Sequence, residues 1–158
     1  MSLINRGLGE KNMSYYELNR RHDANLPVLS LPDARVLVVD DLETNLVVAK
    51  GLLRRYNMRI DCLSSGPEAV KAIRNENIRY DAIFMDHMMP GMDGEEAMRL
   101  IREIGSDYAK NIPIIAFTAN ALVGSEEMFL QKGFQAFISK PIDLKCLDAV
   151  VREWVKAE

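Results

Sequence analysis

The chain has 158 residues, 48% of them hydrophobic and 27% charged, and a formal net charge of -3. That length buries the core of one domain with room for an appendage, and the slight acidity leaves no electrostatic footprint for nucleic acid or an anionic membrane surface. No apolar run approaches the ~20 residues of a membrane helix, no apolar leader opens the chain, and Cys62 and Cys146, isolated in apolar surroundings, read as reduced core thiols of a cytoplasmic protein.

Met1-Ser2-Leu3 reads as residue from expression. Residues 4–33 hold no sustained period and carry Gly7, Gly9, Pro27 and Pro32. Ser14-Tyr15-Tyr16-Glu17 has the spacing of a capping box for a short helix through Arg21. The Leu-Pro pairs at 26–27 and 31–32 then favour extended backbone. The spacing divides the chain into a tether, 1–33, cut from something longer, and a folded domain, 34–158.

From Arg35 the pattern tightens. Val36-Leu37-Val38-Val39 is a continuous apolar run ending on Asp40-Asp41, which predicts a strand buried on both faces. Leu46, Val47, Gly51, Leu52 and Tyr56 fall at helical spacing over 43–56. A weaker strand follows from Met58 to Leu63. Ser64-Ser65-Gly66-Pro67 opens a helix carrying Ala69, Val70 and Ile73, with Pro67 tolerated in its first turn. Ala82 to Met85 are a third strand, and a loop with Pro90, Gly91 and Gly94 leads to a helix marked by Ala97, Leu100, Ile101 and Ile104. Pro113 to Thr118 make a fourth strand. Ser125 to Lys132 form a short helix ended by Gly133, a left-handed cap. Ala136-Phe137-Ile138 is the fifth strand, and Asp143 caps a last helix running to about Lys156.

Five short apolar strands alternating with five helices imply a parallel sheet covered on both faces. Right-handed crossovers put every strand C-terminus on one edge, where ligands of such sheets bind. Asp40, Asp41, Asp86, Thr118 and Lys140 all fall at that edge. Three gathered carboxylates repel unless a hard divalent cation lies among them, and oxygen ligands without His or Cys favour Mg²⁺. A cation, an ammonium and a hydroxyl around one carboxylate suit a phosphoryl group, with the carboxylate as nucleophile.

Four fragments stand at the strand ends: Val38-Val39-Asp40-Asp41, Met85-Asp86-His87-Met88-Met89-Pro90-Gly91-Met92-Asp93-Gly94, Phe117-Thr118-Ala119-Asn120 and Phe137-Ile138-Ser139-Lys140-Pro141. Together, from Arg35 to Lys156, they resemble the receiver domain of two-component response regulators. The resemblance implies a flavodoxin-like (CheY-like) doubly wound sheet of order 2-1-3-4-5. It implies that Asp86 accepts phosphate from a phosphohistidine, and that Asp41, Asp86 and the backbone carbonyl of Met88 hold Mg²⁺. Asp40 either orients a metal-bound water or binds the ion itself. Thr118 and Lys140 would contact the phosphoryl oxygens, the Lys140-Pro141 bond would be cis, and Phe137 would be a rotating aromatic switch coupled to Thr118. The face of the fourth helix, fifth strand and fifth helix is the implied output surface, with phosphorylation-dependent dimerisation left open.

Asn45, Val48 to Leu53, Thr118 to Ala121 and Lys140 to Asp143 further resemble receivers attached to hybrid sensor histidine kinases. The implied partners are a kinase dimerisation domain carrying the phosphohistidine or a histidine phosphotransfer domain. A free-standing receiver is the alternative. No DNA-binding output domain is expected, since the chain stops after the last helix.

Blander readings stand beside these. Asp40 and Asp41 could be a helix N-terminal acid pair, Asp93 reads as a turn acid, and Phe137 could be an ordinary core ring. His87 alternates away from Asp86 if the strand continues, and His22 reads as exposed. Met88, Met89 and Met92 are packing filler by default. Met88 and Asn120, at the site's mouth, imply slow self-hydrolysis of an acyl phosphate, because an apolar Met88 cannot orient water. A Mg²⁺-dependent phosphohydrolase is a rival, but such enzymes generally carry a second Asp where Met88 stands. A flavin module on the same fold would need a phosphate-cradling loop after the first strand, where Asp40-Asp41-Leu42-Glu43 would repel phosphate.

Overall fold

The computed structural model describes residues 27–119 and 125–156, apart from the side chains of Ser125 and Glu126. The capping box expected at Ser14 to Glu17, His22 and Asn120 lie outside the described residues. The elements in order are β1 (Arg35–Val39), α1 (Glu43–Leu53), a 3-10 turn (Arg54–Tyr56), β2 (Arg59–Leu63), α2 (Gly66–Asn75), β3 (Ala82–Asp86), α3 (Gly94–Glu103), α4 (Asp107–Asn111), β4 (Ile114–Thr118), α5 (Ser125–Lys132), β5 (Ala136–Ser139) and α6 (Leu144–Trp154). All strand pairs are parallel, and the sheet order is β2-β1-β3-β4-β5, as the resemblance implied.

Strand alternation divides the core in two. Val36, Val38, Phe84, Phe117 and Ile138 face α1 and α6, where Ala49, Leu53, Leu147, Val150 and Val151 meet them. Leu37, Val39, Ile83, Met85 and Phe137 face α2, α3 and α5 through Ala69, Ile73, Ala97, Ile101 and Phe129. Both faces of β1, β3 and β4 are therefore apolar, which explains why these strands read as unbroken runs rather than alternating ones.

Three details differ from the sequence expectation. The first helix tightens to 3-10 after Leu53 and stops at Asn57, whose φ of 62° is left-handed. The last helix ends at Trp154 rather than near Lys156. A sixth helix, α4, follows Gly105; Ser106 caps it by accepting from the Ala109 N–H. Five residues are too few to display a 3.6-residue period, so only the capping serine signalled it.

Residues 27–33, within the stretch read as tether, lie against the domain. Leu29 and Leu31 pack on the cluster beneath α1 and α6. The Leu31 N–H donates to the Tyr56 carbonyl at 2.7 Å, and the Asn57 amide donates to Ser30 Oγ at 3.0 Å. Arg152 of α6 donates to the Pro27 carbonyl.

Candidate phosphoryl and cation site

The sheet's carboxyl edge gathers the acids because β1 and β3 are hydrogen-bonded neighbours that end in register. Val39 pairs with Met85, so Asp40 and Asp86 follow side by side. Asp41, one residue on, is at the mouth of the same depression. One carboxylate oxygen from each of the three lies within 4.8 Å of the others. Asp40 is 2% exposed and Asp86 6%, an arrangement that is costly without positive charge close by.

Lys140 supplies part of that charge. It follows β5, which is tied to β4 by a Lys140 N–H bond to the Thr118 carbonyl at 2.8 Å. The adjoining Lys140-Pro141 bond is cis. Lys140 Nζ lies 2.9 Å from Asp86 Oδ1 and 3.2 Å from Asp40 Oδ2. Burial pushes the Asp86 carboxyl above its ordinary range; the Lys140 bond opposes this, and the Asp40 and Asp41 charges add to the rise. For Lys140 burial works against the charge, yet the Asp86 and Asp40 carboxylates outweigh it and raise its pKa.

One ammonium among three ionised carboxylates leaves the group two charges short of neutrality. A divalent cation would close that deficit, and an all-oxygen donor set suits a hard one. Asp41 makes no hydrogen bond or ion pair to a described residue. It is half-exposed at the mouth, as an open ligand would be. Thr118 ends β4 beside Asp86 and is 1% exposed. The five polar residues expected at the edge are thus brought together.

The remaining expected residues fall as follows. Met88 is 69% exposed and presents no polar side-chain atom at the rim. Phe137 is 4% exposed and stacked on Phe129 with ring centroids 5.3 Å apart, so its ring is inside the core here. His87 packs its ring edge-on against Phe129 at 4.8 Å, on the side away from the acids. Asp93 accepts from the Glu96 N–H at 2.8 Å and caps α3, a helix cap where the sequence read a turn acid.

Two neighbours of the site carried little signal in the sequence. Asn45, noted only for its resemblance, donates its amide to Asp40 Oδ1 at 3.3 Å. Gly94 sits so close beneath the loop that a Cβ there would fall 2.3 Å from the Asp86 carbonyl oxygen. A cavity of about 430 Å³ opens at the opposite, amino edge of the sheet among Tyr80, Tyr108 and Trp154, and none of the five polar edge residues lines it.

A family model for the response regulator receiver domain matches residues 36–152. A sensor protein, GacS, from Pseudomonas syringae pv. syringae is 36% identical over 129 residues, which cover 81% of this chain and 14% of that protein. A probable histidine kinase 5 from Oryza sativa subsp. japonica is 32% identical, with 88% of this chain and 13% of that protein covered. The chain therefore spans about a seventh of the length of these relatives. Among solved structures, the receiver domain of sensor histidine kinase PA1611 from Pseudomonas aeruginosa PAO1, with a magnesium ion coordinated in its active-site cleft, superposes with a TM-score of 0.67. It is 35% identical, with 77% of this chain and 97% of that chain covered.

Proposed function

The chain belongs to the response regulator receiver domain family, and from that premise we propose that Asp86 is its phosphoacceptor, fed by a phosphohistidine. The observation that carries this reading is the Lys140 ammonium, 2.9 Å from Asp86 and 3.2 Å from Asp40, with Asp41 alongside. In the transfer an Asp86 oxygen attacks phosphorus. The new P–O bond forms as the P–N bond breaks, and the electron pair leaves on the imidazole nitrogen, which takes a proton from solvent. Asp40, Asp41, Asp86 and the Met88 carbonyl would hold Mg²⁺, which when bound neutralises charge on the transferred oxygens. Lys140 and the Thr118 hydroxyl would hold the remaining phosphoryl oxygens. Phe137 would follow Thr118 as the conformational reporter.

The donor is a histidine on a kinase dimerisation domain or a histidine phosphotransfer domain. Support comes from large apolar side chains on the elements that start from the carboxyl edge: Leu42 before α1, Val47 and Val48 within it, Met88 after β3 and Leu144 opening α6, all between 43% and 69% exposed. Exposed apolar side chains on the elements that carry a charged centre fit a protein donor better than a small free anion. The relatives' names favour a hybrid histidine kinase as the parent protein, with the receiver 34–158 following a tether. No helix among the described residues is long and apolar enough to cross a membrane, and we place the domain in the cytoplasm. The face of α5, β5 and α6 is the proposed output surface.

Intact-mass measurement after incubation with acetyl phosphate tests the proposal. One phosphate adduct is expected on the parent chain, dependent on Mg²⁺, and none on Asp86→Asn. A folded parent chain that takes up no phosphate would overturn it.

A further inference from the structure

We infer that Asn45 is a positioning residue that holds the Asp40 carboxylate in the orientation the acid cluster needs to take up a divalent cation. The inference rests on reading that cluster as a cation site. An ionised carboxylate has about four acceptor positions, and the partners of Asp40 are of two kinds. Oδ1 accepts from the Leu42 N–H at 3.0 Å and from the Asn45 amide at 3.3 Å. Oδ2 accepts from Lys140 at 3.2 Å.

The two donors on Oδ1 belong to one rigid piece of backbone. Leu42 is the residue before α1, and Asn45 lies in its first turn. Their positions are fixed by the helix, whatever happens in the depression. Lys140 differs, for its ammonium rides on a flexible stem and is shared with Asp86 at 2.9 Å. Asp40, Asp41 and Asp86 would hold a divalent cation among carboxylates two of which now bind the ammonium. Positive charges a few ångströms apart repel strongly where water screens them poorly. Cation uptake would therefore loosen Lys140 from Asp40, whereas the Asn45 amide and Leu42 N–H would remain.

That difference gives Asn45 its role. A terminal carboxylate torsion has a broad well, so once Lys140 withdraws, only the partners of Oδ1 stop the group from swinging. With Oδ1 occupied, Oδ2, the oxygen that shares the Lys140 ammonium with Asp86, is the one left for the cation. The amide suits the task because it donates without adding charge; a lysine or arginine there would compete with the cation. Removal of such an orienting partner typically weakens metal affinity by about tenfold or more.

A purely structural role at the head of α1 makes a different prediction, because Leu42 brings no side-chain cap of its own. Asn45 would then affect unfolding but not cation affinity. Calorimetric titration of the unphosphorylated full chain with Mg²⁺ separates the two, comparing the parent with Asn45→Leu, Asn45→Ala and the exposed control Thr44→Ala. Leucine keeps the size of Asn45 without its donor, so packing and donation are tested separately. Both Asn45 variants are expected to bind Mg²⁺ about tenfold more weakly, although their unfolding midpoints in chelator differ, and Thr44→Ala binds as the parent does. Affinities of both Asn45 variants matching the parent would overturn the inference. A parent chain that binds no Mg²⁺ would remove the cation reading itself.

Discussion

Gly94 owes its identity to a neighbour's backbone. Its N–H donates to the His87 carbonyl at 3.0 Å, and an added Cβ would meet the Asp86 carbonyl oxygen at 2.3 Å and the His87 Cα at 3.1 Å. Neither atom can yield without moving the backbone of Asp86 and His87. Gly94→Ala should therefore lower stability by about 1–3 kcal/mol, the usual cost of overpacking. Urea unfolding measures that loss, and the same variant should take up phosphate more slowly from acetyl phosphate. Asp61 shows the opposite case, a charge made favourable by its partners. Burial acts to raise its pKa, but the Tyr80 hydroxyl at 2.7 Å and the Arg35 guanidinium at 3.1 and 3.2 Å outweigh it and lower the value. A carboxyl whose folded pKa is depressed adds stability above its unfolded pKa of about 3.9 and loses it as pH falls through the folded value. Asp61→Asn should thus be less stable than the parent at neutral pH. The gap should narrow below about pH 4 in thermal unfolding.

Elements are held unequally. Arg102 of α3 donates to the carbonyls of Ala109 at 3.0 Å, Ile112 at 2.8 Å and Gly133 at 3.3 Å, and to Gln135 Oε1 at 2.9 Å. Burial lowers its pKa to about 10, which leaves it charged at neutral pH. One planar fork thus fastens α4 and the turn before β5 to α3 without a carboxylate. Arg102→Met would strand these oxygens and should cost about 3 kcal/mol. Arg102→Lys should recover little, because a point charge cannot match the fork. Guanidinium unfolding of both variants checks this. By contrast, Phe129 is the one buried side chain among those described in α5. It touches His87, Phe134 and Phe137, so among its described side chains one aromatic ring anchors this helix of the proposed output surface.

The whole molecule separates stability from chemistry by the direction of its sheet. Two apolar cores cover the faces, and the crowded acids occupy only the carboxyl edge. The edge is thus a place where the fold tolerates mutual repulsion, and a divalent cation should stabilise the domain by relieving it. A ligand bound only by the folded state at ~100 times its dissociation constant adds about 2.7 kcal/mol. Mg²⁺ should accordingly raise the thermal midpoint of the parent chain more than NaCl of equal ionic strength. Asp41→Asn should lose most of that increment.

The sequence alone determined the five strands, the helices that alternate with them and the polar residues at the strand ends. Each strand is short enough for unbroken apolar character to mark it, and each site residue stands within two positions of the end of an apolar run. It also carried Gly133 and Asp143 as helix punctuation, borne out by a φ of 116° and by the Lys145 N–H bond to Asp143. Only the tertiary structure decided what depends on partners distant along the chain. Nothing local singles out Arg102, whose acceptors lie up to 33 residues away along the chain. Asn45 carries only a family resemblance until the fold sets its amide on Asp40, and Leu29 and Leu31 read as tether until α1 and α6 offer them a surface. Periodicity encodes which face a residue turns inward, whereas contact across the fold is set by packing, which no local pattern records.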